Sequence, residues 1–163
     1  MSQICLVFGK PKINDKDNFL AALRDINSKY RCTVQALDAE KVVSEKHAIF
    51  AAKKALRAFR EGRNVAKDLG VEILRYASGE RQINRALFMG ISKATERVAL
   101  IAVSNNGLTP DLSNLIDVDE LGCNWKPSTV IDAFNISEEE IFAVGEARIP
   151  DIVLERVALV DAF

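Results

Sequence analysis

Arg97-Val98-Ala99-Leu100-Ile101-Ala102-Val103, followed at once by Ser104-Asn105-Asn106-Gly107, decides the fold class. An apolar run this short, closed by turn chemistry, predicts a strand over residues 95–103. Upstream the period changes. From Ser44 to Arg60, the apolar residues Ile49, Ala52, Leu56 and Phe59 recur three and four apart, the spacing of one helix face. Ser44 is a suitable cap for that helix and Gly62 ends it. Further toward the N-terminus, strands are expected over 4–8 and 32–37. They flank a helix over 16–30 that Asn14 or Asp15 caps and that carries Phe19, Leu20, Leu23 and Ile26 on one stripe. Between the long helix and the quoted strand, a short helix over 64–69, a third strand over 71–77 and a helix over 80–89 are expected.

Downstream of Gly107 the pattern weakens. A short helix is expected over 110–116, a loop over 117–127 around Trp125, and a short helix over 128–133. Another helix is opened by Ser137-Glu138-Glu139-Glu140, where acidic side chains suit the positive end of the helix dipole. A final helix starts at Pro150, where the missing N–H does no harm. No internal repeat or low-complexity tract interrupts residues 1–163. The expected architecture is a single α/β domain, with a roughly four-stranded mixed sheet packed by several helices.

The chain has 163 residues, of which 48% are hydrophobic and 28% charged, so one sizeable core is within reach. No apolar run approaches the roughly 20 residues that span a bilayer, and the N-terminal Met1-Ser2-Gln3-Ile4 lacks the basic start of a secretory signal. Three cysteines, Cys5, Cys32 and Cys123, form no CxxC pair, and His47 is the only histidine. A Cys/His zinc site is therefore not expected, and reduced thiols suit a cytoplasmic setting. No metal, cofactor or membrane contact is predicted.

Signs of catalysis are sparse. Neither GxGxxG nor GxxxxGK[ST] occurs, and His47 lies on the first turns of an amphipathic helix, where a structural role is the simpler reading. The carboxylates Asp117, Asp119 and Glu120 have the oxygen chemistry for a hard cation, which leaves a small metal-dependent enzyme as an alternative.

Charge is distributed unevenly along the chain. Residues 41–97 carry 13 Lys and Arg against 6 Asp and Glu, whereas residues 98–163 carry 3 against 12. Two surfaces for two partners follow from such a division. On the long helix, Lys46, Lys53, Arg57 and Arg60 recur seven, four and three residues apart, with Lys54 alongside and Arg63 and Lys67 continuing the charge. Glu61 is the one carboxylate between Lys46 and Lys67, which predicts a phosphate-facing surface. Next comes Ser78-Gly79-Glu80-Arg81-Gln82-Ile83-Asn84-Arg85-Ala86, a turn that opens a helix. Free N–H groups at a helix start hold anions, Arg81 can pair with one bidentately, Gln82 and Asn84 suit base edges, and Ile83 packs beside a base.

The Ser78-Gly79-x-Arg81-Gln82-Ile83-x-x-Ala86 segment, the Gly90-Ile91 ending, the strand that follows and the upstream His47-Ala48 and Lys53-Lys54-Ala55 together resemble one family. It is the kinase-binding subunit of the KEOPS/EKC complex, the PRPK-binding (TPRKB-like) family, in its archaeal form. The resemblance implies a non-enzymatic α/β subunit that binds the small lobe of an atypical Bud-type kinase and meets the other KEOPS subunits indirectly. It further implies a part in the threonylcarbamoyladenosine modification of tRNA and contact with the tRNA 3′ CCA end. Carried onto this chain, the CCA end lies by Ser78, Gly79, Arg81, Gln82, Ile83 and Asn84. Lys53, Lys54, Arg57, Arg60 and Arg63 then hold acceptor-arm phosphates. Tyr76 and Phe88, the aromatics close by, suit the core as well as they suit stacking.

The last helix is apolar around much of its circumference, with Ile152, Val153, Leu154, Val157, Leu159, Val160 and a final Phe163, beside Arg156. One side packing at home and the other meeting a protein partner is the expected use, and in the resembling family that partner is the kinase. A protein-interaction module without RNA contact is the remaining alternative.

Overall fold

The structure, a computed structural model, describes residues 2–162. Its centre is the strand quoted above, β3 (Val98–Ser104), whose residues are all buried. With β1 (Gln3–Pro11), β2 (Thr33–Asp38) and β4 (Ile116–Val118) it forms a four-stranded sheet in the order β2-β3-β1-β4. Every neighbour pair is antiparallel, with Phe8 opposite Ala99 and Leu37 also opposite Ala99, so the sheet is not the mixed one expected. β3 is apolar without alternation because both of its faces are covered. Ala99, Ile101 and Val103 enter one apolar cluster, and Val98, Leu100 and Ala102 enter another.

The second cluster is closed by α1 (Lys16–Tyr30), which brings Phe19 and Leu23 onto the sheet. Asp15 caps it by accepting from Asn18 N–H at 3.0 Å. The larger cluster lies on the opposite face, under α2 (Glu45–Arg60) and α3 (Leu69–Ser78). The remaining helices are α4 (Ile83–Ala86), α5 (Pro127–Ala133), α6 (Glu138–Val144) and α7 (Ile149–Leu159). Ser44 caps α2 as expected, but the face that α2 buries is rotated from the predicted stripe. Ala48, Ala51, Ala52, Ala55 and Ala58 are fully buried, while Ile49, Leu56 and Phe59 flank them half-exposed. Alanines let α2 lie close against α3 and the sheet, so the small residues win the innermost positions.

The third expected strand, over 71–77, is helix α3. Gly70, together with every residue from Glu72 to Ser78, is buried; the polar Glu72, Arg75 and Ser78 recur three apart as on a helix, but the run is short and rich in β-favouring Val71, Ile73 and Tyr76, which is what reads as a strand. Asp68 caps this helix by accepting from Val71 N–H at 3.0 Å. A Cβ at Gly70 would run into Gln35 Oε1, so any other residue there requires the Gln35 side chain to move aside. The expected short helix over 64–69 is instead a bent loop leading into that cap. The helix expected over 80–89 shrinks to the single turn of α4 followed by a 3-10 turn at Leu87–Met89. Residues 110–115 form no helix and deliver β4, a strand too short to carry a period of its own. Among the described residues no helix is long and apolar enough to cross a membrane.

Candidate functional site

Lys53, Arg57 and Arg60 project from the exposed side of α2, as their spacing requires. Their neutralisation differs from expectation, because the fold brings a second carboxylate to the stripe. Asp161, just past α7, accepts from Tyr76 Oη at 2.5 Å, from Lys54 Nζ at 3.0 Å and from Arg63 Nη1 at 3.3 Å. Lys54 is thereby drawn inward, its ammonium 5.3 Å from the ring centre of Phe50 and 5.7 Å from that of Tyr76. Partial burial works against the charged form of Asp161, yet the Tyr76 hydroxyl and Lys54 ammonium prevail and hold its carboxyl below the ordinary value. Glu61 accepts from Arg63 Nε at 2.6 Å and Arg57 Nε at 3.0 Å, and these bonds lower its carboxyl in the same sense. Lys46, Lys53, Arg60 and Lys67 form no ion pair among the described residues, so the excess of positive charge survives the second carboxylate.

The turn after α3 is built differently from a helix start. Ser78 is buried, and its hydroxyl donates to Arg75 O at 2.7 Å while accepting from Glu80 N–H at 3.0 Å. It therefore locks the end of α3 and does not cap the next helix. Gly79 follows with φ +74°, the left-handed closure that glycine supplies. α4 has one turn and Gln82 makes no side-chain cap bond, so the anion-holding helix start expected in this segment is reduced to little. Arg81, Gln82, Asn84 and Arg85 nonetheless stand exposed, with Ile83 half-buried.

Beneath both loops lies a buried ion pair that the sequence pattern did not reveal. Glu72 Oε1 and Oε2 accept from Arg75 Nε at 2.7 Å and Nη2 at 3.2 Å. The same two oxygens accept from Ala66 N–H at 3.2 Å and Val65 N–H at 3.1 Å, and Arg75 Nη1 donates to Arg81 O at 3.2 Å. One pair thus ties the basic loop after α2 to the turn after α3. Its signal in the sequence is a Glu and an Arg three residues apart, which reads as a helix pair only once 69–78 is known to be helical.

α7 uses its apolar residues mostly at home. Ile152, Val153, Val157 and Val160 are buried in the larger cluster. Leu154 is half-buried, Leu159 is 45% exposed, and Phe163 lies outside the described residues. The free side of this helix is accordingly narrower than its sequence implied. Arg156 is also occupied, donating to both oxygens of Glu140 at 3.0 and 3.1 Å and to Phe134 O at 3.2 Å. The Arg156 guanidinium pulls the Glu140 carboxyl down to about 2.

The sequence assigns the turn and α7 to different partners, but in the fold they share one groove. Gly79, Glu80, Arg81, Gln82 and Arg85 line one wall of a recess of about 430 Å³, and Arg156, Leu159 and Val160 line the other. The two walls meet tightly: a Cβ on Gly79 would meet Arg156 Cβ at 2.8 Å. Among the described residues no aromatic ring lines the recess, since Tyr76 is buried and Phe88 packs edge-on against Phe134 with centroids 5.4 Å apart.

The carboxylates considered for catalysis do not assemble. Asp119 is clamped by Arg97 at 2.6 and 2.9 Å, which lowers its carboxyl, and Asp117 faces Lys12 at 3.6 Å on the surface. Glu120 is exposed beside them. No group of three or more His, Cys, Asp and Glu side chains is placed to hold a metal among the described residues. His47 is fully buried, accepting from Val43 N–H at Nδ1 (3.2 Å) and therefore donating from Nε2 to Ala77 O at 2.8 Å. Burial pushes its pKa down to about 4.

No curated protein matches the chain significantly. The family model described as kinase binding protein CGI-121 matches residues 12–161, a span that includes α1 to α7, the groove and the ion pair beneath it. The chain belongs to the CGI-121 family of kinase-binding proteins.

Proposed function

We propose that this protein is the kinase-binding subunit of a KEOPS-type complex and brings tRNA to a Bud-type kinase for threonylcarbamoyladenosine modification, without chemistry of its own. The recess between the 78–84 turn and α7 carries the reading. It is edged by the exposed guanidinium of Arg85 and the amide of Gln82, and Asp161, which pairs with Arg63, follows Val160 of its wall directly in the chain. A single-stranded 3′ CCA end fits such a recess, with guanidinium planes and Leu159 in place of stacking rings, while Lys53, Arg57 and Arg60 take duplex phosphates. Family membership supports the kinase half of the proposal.

Filter binding tests the RNA half. Intact tRNA should bind more tightly than tRNA trimmed of its CCA end. Lys53→Glu with Arg60→Glu should weaken both and reduce the salt dependence, by about 0.7–0.9 in log–log slope for each phosphate no longer neutralised. Equal binding of intact and trimmed tRNA would exclude the recess as the CCA site. Copurification with a Bud-type kinase should be unaffected by either change.

A further inference from the structure

Helix α6 buries none of its own residues, although it carries Ile141, Phe142 and Val144. Phe142 is 94% exposed and Val144 41%. A seven-residue helix is too short to be stable on its own propensity, so something must hold it. At home it is held by Ile141, half-buried against the larger cluster, by a capping box between Ser137 and Glu140 (2.8 and 3.1 Å) and by the Arg156–Glu140 pair. The exposed ring of Phe142 contributes nothing to that.

We propose that α6 is the anchor on which the kinase partner docks, with Phe142 entering an apolar pocket ringed by Lys and Arg. This rests on the kinase-binding reading and locates its surface. The charge around Phe142 selects the occupant. Glu138 and Glu139 precede it by four and three residues on the same helix face, and Glu146 follows in the next turn. Residues 137–147 contain no Lys or Arg, and of their four carboxylates only Glu140 has an ion-pair partner among the described residues. A second copy would set these acids against their own counterparts, and RNA would meet them with its phosphates, so both are repelled. A basic-rimmed protein pocket is attracted by the acids and desolvates the ring. Leu159, the large apolar residue that α7 exposes, then belongs to the recess and not to the kinase face.

Calorimetry with a Bud-type kinase, run at two salt concentrations, decides the matter. Phe142→Ser should weaken the complex by roughly 30-fold or more, as loss of an aromatic hot spot does, with the melting temperature and tRNA binding unchanged. Glu138→Lys with Glu139→Lys should weaken it further at low salt than at high salt. If the wild-type protein binds the kinase and Phe142→Ser binds within twofold of it, the docking surface lies elsewhere and the proposal falls. A wild-type dimer in sedimentation that Phe142→Ser dissociates would overturn it in favour of a second copy. Wild-type protein that binds no Bud-type kinase would refute the kinase reading itself, a result separable from the other two.

Discussion

Acidification should destabilise this protein well before its carboxylates titrate, and His47 is the reason. The imidazole is fully buried, accepts from Val43 N–H and donates to Ala77 O, so only the neutral ring satisfies both neighbours. Desolvation lowers its pKa from 6.5 to about 4. Because the folded value is the depressed one, the unfolded chain takes up the proton first. Stability is complete above pH 6.5 and is lost as the pH falls toward 4. Between pH 7.5 and 4.5 the loss amounts to about 2.5 kcal/mol, at a limiting slope of about 1.4 kcal/mol per pH unit. For a chain of this size that corresponds to a fall in melting temperature of about 5–10 °C. The carboxylates held low by ion pairs, Asp119, Asp161 and Glu140, act in the same direction, beginning as the pH falls into the ordinary carboxylate range at about 5. Since His47 is the only histidine, the window above about pH 5 is its own, and the imidazole gives a single resonance. Urea unfolding followed by circular dichroism at pH 7.5, 6.5, 5.5 and 4.5, with proton–carbon NMR of the ring, measures both quantities. A ring that titrates near 6.5, or a His47→Gln protein with the wild-type pH slope, would refute the reasoning.

Three further changes probe the site. Glu72→Ala strands the buried Arg75 guanidinium and frees the 65–66 backbone, so urea unfolding should show a loss of about 3–5 kcal/mol, whereas Glu72→Gln should lose less. Asp161→Asn removes the ionised acceptor shared by Tyr76, Lys54 and Arg63; stability should fall by about 1–2 kcal/mol while tRNA affinity in filter binding rises, because two cations lose their internal counter-charge. Gly79→Ala meets both a left-handed φ and Arg156 Cβ at 2.8 Å, and should cost about 1–2 kcal/mol in thermal melts and weaken tRNA binding by displacing the turn from α7.

The sequence by itself determined the elements whose signals are local. Asp15 and Ser44 announce α1 and α2, because a cap is a bond between residues three apart. The 98–103 run announces β3, the exposed cations follow from the period of α2, and the acids that follow Ser137 mark the start of α6. The pattern misleads at α3, since the run is short and its Val71, Ile73 and Tyr76 favour a strand, while Glu72, Arg75 and Ser78 carry the helical spacing yet are buried. Only the tertiary structure decided what the site is made of. Asp161 reaches Lys54, Glu72 reaches the 65–66 backbone, and Arg156 closes on Gly79, each across a separation or through an orientation that no local pattern encodes. The exposure of Phe142 belongs to the same class. Whether an apolar side chain faces the core or the solvent depends on what packs over it, and that is settled by the path of the whole chain.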